Sequence, residues 1–422
     1  MKQRFYKGLA AVSLGALLSL TLTPAEAFVP SIKALGMAAT GVAYPQDAES
    51  GAYNPANTLW VGDRADSGTS VIRTDGETTA TGFTIPQQNG TFPAFVSPYK
   101  YNPHLGVTKQ FCVRGRRLAA GFVVYNRAQA YSKYDRAFPV IGTDHLRLSY
   151  LQEIVNPMLG IEICPGHTVG VALDIVFQRL KINGLENFDN PEASTAPGFV
   201  TGNGPSISVG VGVTIGYLGE FGNRLKVGLA YRPETSMTRY QRYKGFIAEQ
   251  GKQNSPQRIA GGIALKVLPC LNWAIDVEHI AYNRIPALAN PLVSPPNLGA
   301  DDGSAFAWRD RVYIRTGLDY QVNERLNVRM GLRHARVFFP PGKEISAANL
   351  LTMDLVEDFL TAGFSYRIDC KMEFSFYYGH GFRNTITNPV PIALNPPSFL
   401  PGAEVTTAQS RDAFGFGLGL YY

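Results

Sequence analysis

Residues 414–422 read Phe-Gly-Phe-Gly-Leu-Gly-Leu-Tyr-Tyr, with Phe414, Phe416, Leu418, Leu420 and Tyr422 alternating against Gly415, Gly417, Gly419 and Tyr421. Successive side chains of a strand point to opposite faces, so this period of two makes one bulky apolar face and one nearly bare face. The same pattern recurs upstream. Met372, Phe374, Phe376 and Tyr378 alternate with Glu373, Ser375, Tyr377 and Gly379. Leu326, Val328, Met330 and Leu332 alternate with Asn327, Arg329, Gly331 and Arg333, and Leu271, Trp273, Ile275 and Val277 with Asn272, Ala274, Asp276 and Glu278. A soluble sandwich also alternates, but repetition of an apolar face along so long a chain predicts strands that meet lipid on one side.

The connections strengthen that reading. Strands are expected near 64–74, 93–111, 117–133, 147–163, 168–183, 206–218, 224–238, 256–268, 272–285, 308–320, 326–338, 359–369, 372–384 and 411–422. Short links at 112–116, 164–167, 219–223, 269–271, 321–325 and 370–371 alternate with long ones rich in Pro, Gly and Asn. Membrane barrels pair short periplasmic turns with long outer loops in this way, with an even strand count. The fold expected is therefore all-β: a 14-stranded antiparallel transmembrane β-barrel spanning 63–422, its last strand closed onto its first. Closure is required because lipid cannot hydrogen-bond an open edge.

Residues 1–27 are expected to be a cleaved signal peptide. Lys2, Arg4 and Lys7 precede an apolar run from Leu9 to Leu22, and Ala25-Glu26-Ala27 has the small-x-small form of a cleavage site. That run is too short for a stable membrane helix, and no later run is longer, so a helical membrane protein is not expected. Charged residues make up 17% of the chain, below the usual quarter, while Gly, Phe and Tyr are abundant. The formal charge of +6 is scattered, with Arg114, Arg116 and Arg117 the one dense cluster. A nucleic-acid partner is therefore not expected.

Residues 28–62, FVPSIKALGMAATGVAYPQDAESGAYNPANTLWVG, do not alternate and are too long for a tail. Here the chain resembles the outer-membrane long-chain fatty-acid transporters of the FadL type and their aromatic-hydrocarbon relatives. Their pattern L-G-x-A-x-x-G-x-A, D-A-S, Y-N-P-A-x-L is met by Leu35, Gly36, Ala38, Gly41, Ala43, Asp47, Ala48, Tyr53, Asn54, Pro55, Ala56 and, one place late, Leu59. Glu49 stands where the family often has Ser. The likeness continues in 271–285, with Asp276, Glu278, Tyr282 and Arg284, and in 224–234, RLKVGLAYRPE. A terminal aromatic strand is similar to those of substrates of the barrel-insertion machinery, a partner in biogenesis.

The resemblance implies that 28–62 is a hatch inside the lumen, docked through Gly36, Gly41, Asp47, Tyr53, Asn54, Pro55 and Ala56, and that a kinked third strand opens a side exit to the membrane. From the residues alone, Asn54-Pro55-Ala56 is a turn, because Pro fixes φ and favours an extended residue before it; a rigid corner before the first strand is the plainer account. Two departures stand out. The third strand carries Val123-Val124-Tyr125-Asn126-Arg127-Ala128-Gln129, without Pro or Gly, so a kink there would need a bulge. Loop 184–205 is shorter and more broken than the helical loop of the family.

A hydrophobic ligand with a carboxylate would need apolar surface and a cation. The resemblance implies a pocket near the start of the hatch, at Phe28 and Val29, and alternation turns Arg127, Arg329 and Arg333 to the lumen; these are the candidate pocket residues. By alternation Lys226 and Arg232 also face the lumen, as do Asp174, Asp276, Glu278 and Glu373, so mutual pairing along an aqueous interior is the competing use of these charges.

Cys112, Cys164, Cys270 and Cys370 each lie at or beside a short turn. An oxidising compartment permits a Cys112–Cys164 disulfide if their Cα atoms come within about 7 Å, or crosslinks to other envelope proteins. They are too far apart in sequence for the usual metal motifs, and no GxSxG, HExxH or phosphate-binding glycine loop occurs. Neither enzyme activity nor a cofactor or metal is expected. The function expected is passive uptake across the outer membrane of long-chain fatty acids or similar hydrophobic molecules, with outer-membrane lipid as surroundings and lateral release implied by the resemblance. Monoaromatic hydrocarbons, small polar solutes through a general porin, and a structural or adhesive role are the alternatives.

Overall fold

The computed structural model describes residues 30–84, 86–138, 141–293, 295–338, 347–389 and 399–422. Its strands are β1 (Arg64–Phe83), β2 (Gly90–Pro93), β3 (Tyr99–Val113), β4 (Arg116–Ala137), β5 (His145–Cys164), β6 (His167–Asn183), β7 (Ser206–Phe221) and β8 (Leu225–Arg232). There follow β9 (Arg258–Leu268), β10 (Leu271–Ile280), β11 (Arg311–Gln321), β12 (Leu326–Ala335), β13 (Asp358–Arg367), β14 (Met372–Pro389) and β15 (Phe399–Tyr421). Each is antiparallel to its neighbours, and β15 returns to β1 with Arg64 opposite Tyr421. The sheet is thus a closed barrel of fourteen full strands, as the alternation predicts. The short β2 pairs with the upper part of β1, at 77–80, and continues the line of β3.

Several strands differ from the expected lengths. The stretch expected to be a loop at 75–92 extends β1 to Phe83 and contains β2. Conversely, the strand expected at 224–238 stops at Arg232, and that at 272–285 stops at Ile280, where Tyr282–Arg284 turns into a helix Pro286–Ala289. The result is a wall of unequal height. The strands β4, β5, β14 and β15 run 22, 20, 18 and 23 residues, whereas β8 to β13 run only 8 to 11. Alternation in the sequence marks faces; it does not say how far pairing continues above the apolar belt.

The outward residues form that belt. Ile207, Val211, Leu229, Met330, Leu332 and Leu418 are all half-exposed or more. Large side chains so displayed have no partner but lipid. No helix among the described residues is long and apolar enough to cross a membrane.

The wall opens between β3 and β4. The β3–β4 ladder runs from Val113–Arg116 up to His104–Tyr125 and ends there, leaving Tyr99–Pro103 and Asn126–Ser132 unpaired with each other. Contact resumes above, where Lys133 donates to the Ala94 carbonyl (2.9 Å) and Val96 donates to that of Lys133 (3.1 Å). The opening is a window roughly 17 Å long along β3. Its cause lies in β4, whose register against β5 slips between Asn126 and Ala128 and again between Lys133 and Ala137. Arg127 is the extra residue of a bulge, which bends its strand without Pro or Gly.

Candidate ligand-binding site

Residues 30–62 are almost wholly buried and touch inward-facing residues all round the barrel, so they lie in its lumen. Phe28 and Val29 fall outside the described residues. A short helix Ile32–Leu35 is capped by Ser31, whose hydroxyl accepts from Ala34 N (3.1 Å) and donates to Asp47 (2.5 Å). Asp47 in turn caps the 3-10 turn Ala48–Ala52, accepting from Glu49 N. Asn54 caps the next turn, Pro55–Trp60, in the extended conformation that a residue before Pro prefers. Its amide also donates to the carbonyls of Val42 (3.0 Å) and of Tyr217 in β7 (2.8 Å), tying the corner to the wall. The Tyr53 ring lies against Gly41, where a Cβ would come within 3.0 Å of it.

The wall receives this segment on bare backbone. A Cβ at Gly170 would sit 2.3 Å from the Pro55 carbonyl carbon, and one at Gly216 would sit 1.9 Å from the Asn54 side-chain oxygen. Gly36 meets Gly363 less tightly, a Cβ on Gly363 lying 3.2 Å from the Gly36 Cα. Between these contacts run polar ties: Asp276 accepts from Gly41 N (2.7 Å) and Val42 N (2.9 Å), Tyr44 donates to Asp319 (2.7 Å), and Lys33 pairs with Glu373 (2.6 Å). Glu49 hydrogen-bonds His104 (2.5 Å). Burial pushes the Glu49 carboxyl up to about 7 against the pull of His104, with Asp47 and Asp66 pushing the same way as burial.

Above the hatch, long connections from the low side of the barrel fold inward and pack into an apolar cap. Tyr134, Phe138, Tyr240, Phe246, Phe306 and Leu351 belong to its core. Ser132 and Tyr134 of β4 donate to the carbonyls of Leu351 (2.9 Å) and Leu350 (3.0 Å), in a helix Ala347–Leu351. Asp354 lies beneath, bound by Arg311 and by Arg411 (3.0 Å).

Cap and hatch leave between them a cavity of about 950 Å³, part of it open to solvent. One flank consists of four consecutive residues, Arg127, Ala128, Gln129 and Ala130. A regular strand turns alternate residues outward, so this run facing one space is a product of the bulge. The far end is aromatic: Tyr282, Phe306, Trp308, Tyr313 and Phe338. Trp308 packs on Phe338 with centroids 4.2 Å apart and on Phe306 at 5.1 Å, and its indole donates to Asn349. The flank also borders the window, where Gln129 donates to Asn102 (3.4 Å) and the Lys100 ammonium lies 3.7 Å over the Tyr131 ring.

Of the three cations singled out in the sequence, the structure brings one to this cavity. Arg127 lines it, donating to Ser255 (3.2 Å), and has no acidic partner within ion-pair distance among the described residues. Arg329 lies under the hatch, near Asp319 (3.5 Å) and donating to Ser365 (2.6 Å), so it is a structural charge. Arg333 is not itself a lining residue; it lies against the ring of Phe359 and behind that of Tyr313, which does line the cavity. Lumenal charges do largely pair: Glu278 takes both Arg258 and Arg315. Strand parity does not mark the loop residues Tyr282, Phe306, Trp308 and Phe338, and it does not distinguish Gln129 on β4 or Tyr313 on β11 from other inward residues. The run Ala305-Phe306-Ala307-Trp308 in a long link was the available signal.

The four thiols are free; Cys112, Cys164 and Cys370 are exposed and Cys270 half-buried. All lie at the short-turn end. The Cys112–Cys164 bridge is not formed, because Cys112 pairs with Arg117 and Cys164 belongs to the next hairpin, beyond the β4–β5 ladder. No group of metal-ligating side chains occurs among the described residues.

No protein-family model matches the sequence, and no curated protein does. Solved structures do match. A Pseudomonas aeruginosa FadL homologue superposes with a TM-score of 0.66 at 12% identity, over 94% of this chain and 99% of its own. The P. putida toluene transporter TodX gives 0.66 at 13% identity, over 94% and 99%. The Ralstonia pickettii toluene transporter TbuX gives 0.58 at 16% identity, over 92% and 97%. At such identities the likeness is one of fold: this closed fourteen-stranded barrel is built as the FadL homologue and the toluene transporters are.

Proposed function

We propose that this chain is an outer-membrane channel for passive uptake of hydrophobic compounds, fatty acids or aromatic hydrocarbons, with its amino-terminal segment as the plug and the β3–β4 window as a side exit to lipid. The observation that carries the reading is the largely apolar cavity that backs directly onto the β3–β4 opening in the wall. A compound held there is shielded from water above by the cap and below by the hatch, and the shortest way out leads into the outer part of the membrane, where Tyr99 and Tyr101 stand exposed beside the window. Aromatic residues of this kind sit at membrane interfaces. The same names on the structural neighbours, a FadL homologue and toluene transporters, support a hydrophobic cargo. A general porin fits less well, since a hydrogen-bonded hatch fills the lumen. Residues 1–27 serve as the signal for export, the hatch comprises 28–62, and the four thiols face the periplasm.

The test is reconstitution. Proteoliposomes containing the protein should take up labelled oleate or toluene faster than empty vesicles while excluding sugars. Sugar entry without hydrophobic uptake would overturn the proposal.

A further inference from the structure

Resting on the uptake reading, the geometry points to an aryl carboxylate as the compound the cavity is built for: an aromatic ring and an anionic head in one molecule. The two ends of the cavity differ in chemistry. At one end five rings converge, with Trp308 against Phe306 and Phe338, and Tyr282 edge-on to Trp308 at 5.4 Å. Such a cluster favours another ring over an alkyl chain, because edge and face contacts add to simple burial, by about three- to tenfold per well-placed pair.

A cationic ligand is disfavoured at that end. The Arg311 guanidinium already lies 4.8 Å from the Tyr313 ring centre and 5.1 Å from that of Phe338, so those faces have their positive charge. Asp354, the acid nearby, is bound by Arg311 and Arg411. A wholly neutral ligand leaves the other end unanswered. Arg127 is buried to 8% exposure and has no ion-paired acid among the described residues, and Gln129, at 2%, leaves its side-chain oxygen without a partner while its amide nitrogen donates to Asn102. Oxygen and nitrogen of an amide exchange by a flip, so with Gln129 and Asn102 turned over together Gln129 presents a donor on the same flank as the guanidinium. A carboxylate satisfies both; a hydrocarbon satisfies neither, and buried polar groups left unmet weaken its binding. A plain fatty acid meets the polar end and forgoes the aromatic one.

The experiment is calorimetric titration of the full-length protein in lipid nanodiscs with three probes: phenylbutyrate, decanoate, which matches it in carbon count, and butylbenzene, which lacks its carboxylate. Phenylbutyrate is expected to bind at least about threefold more tightly than decanoate and about tenfold more tightly than butylbenzene. Arg127→Gln should abolish the second preference and keep the first; Trp308→Leu should do the reverse. Decanoate binding as tightly as phenylbutyrate overturns the aromatic end, and butylbenzene doing so overturns the anionic end. Either result leaves the channel reading intact. Absence of binding by all three would bring down the channel reading as well. The comparison on the unaltered protein decides the matter even if a variant folds poorly.

Discussion

Glu49 of the hatch and His104 of β3 share a 2.5 Å hydrogen bond directly beneath the window, at the last rung of the β3–β4 ladder. Both are buried, and Gly106, two residues on, makes room: a Cβ there would lie 2.7 Å from Glu49 Cγ. The hatch and the lower sill of the window are therefore joined by this pair of side chains.

That pair predicts a pH dependence. Burial holds the Glu49 carboxyl at about 7, against 4.5 for the ordinary side chain, with His104 opposing and Asp47 and Asp66 reinforcing the rise. A raised acid means the docked hatch keeps a proton that the undocked one has lost, so docking is strongest below about pH 4.5 and weakens as pH rises through about 7. Protease cleavage within the hatch should accelerate across that interval, and Glu49→Gln should flatten the profile. Identical profiles for the two proteins would dispose of the claim.

The glycine seat predicts what unplugs the barrel. Gly170→Val places a branched side chain where Pro55 and Ala56 lie, and the backbone at 2.3 Å cannot yield as a flexible side chain would. Planar-bilayer recordings should show persistent open current for Gly170→Val and little for the parent. A closed variant of normal stability would mean that the hatch does not block the lumen.

The cap depends on Asp354. Replacing it with Asn leaves Arg311 and Arg411 buried with their anion gone, and breaking a buried pair in this way costs about 3–5 kcal/mol. The Asp354→Asn protein should lose several degrees of melting temperature, and the 347–357 segment should become susceptible to protease first.

The window predicts a staple. In a chain whose four native cysteines are changed to Ser, Asn102→Cys together with Gln129→Cys puts thiols on opposite edges that now touch through their amides. A short bis-maleimide should stop uptake in that protein while a mono-maleimide leaves it running. Uptake that persists through complete crosslinking would exclude the window as the exit.

The thiols themselves report topology. Cys112, Cys164 and Cys370 are exposed at the end that carries the short turns. A membrane-impermeant maleimide should label them only after the outer membrane of intact cells is permeabilised; labelling of untreated cells would invert the assignment.

The barrel was legible in the sequence because the lipid face must be apolar at every second residue, and Phe414 to Leu420 or Leu326 to Leu332 have no other reason to alternate. The hatch corner was legible for a local reason too, since Asn54 and Pro55 fix their own turn. The window was not. A bulge arises from the register of β4 against β5, a relation between distant residues, and nothing within Val123 to Gln129 demands it. The pairing of lumenal charges was readable as a class, but which cation stays unpaired depended on fold-wide geometry. Arg329 and Arg127 look alike in sequence; the nearby Asp319 and Ser365, and its place under the hatch, set Arg329 apart. Four of the five rings at the aromatic end lie outside the strands, where side chains follow no period, and only Tyr313 stands on one, β11.

The unequal rims have a mechanical outcome. Connections rising from the low strands β10 to β13 have no wall of their own to lean against, so they cross the bore and rest on the tall flank, where Ser132 and Tyr134 catch Leu350 and Leu351. Those catches are on β4, the strand whose bulge frames the window and supplies Arg127. On the proposed route, therefore, the cover over the bore and the side opening are both fastened to a single strand, and a change at either meets the same backbone.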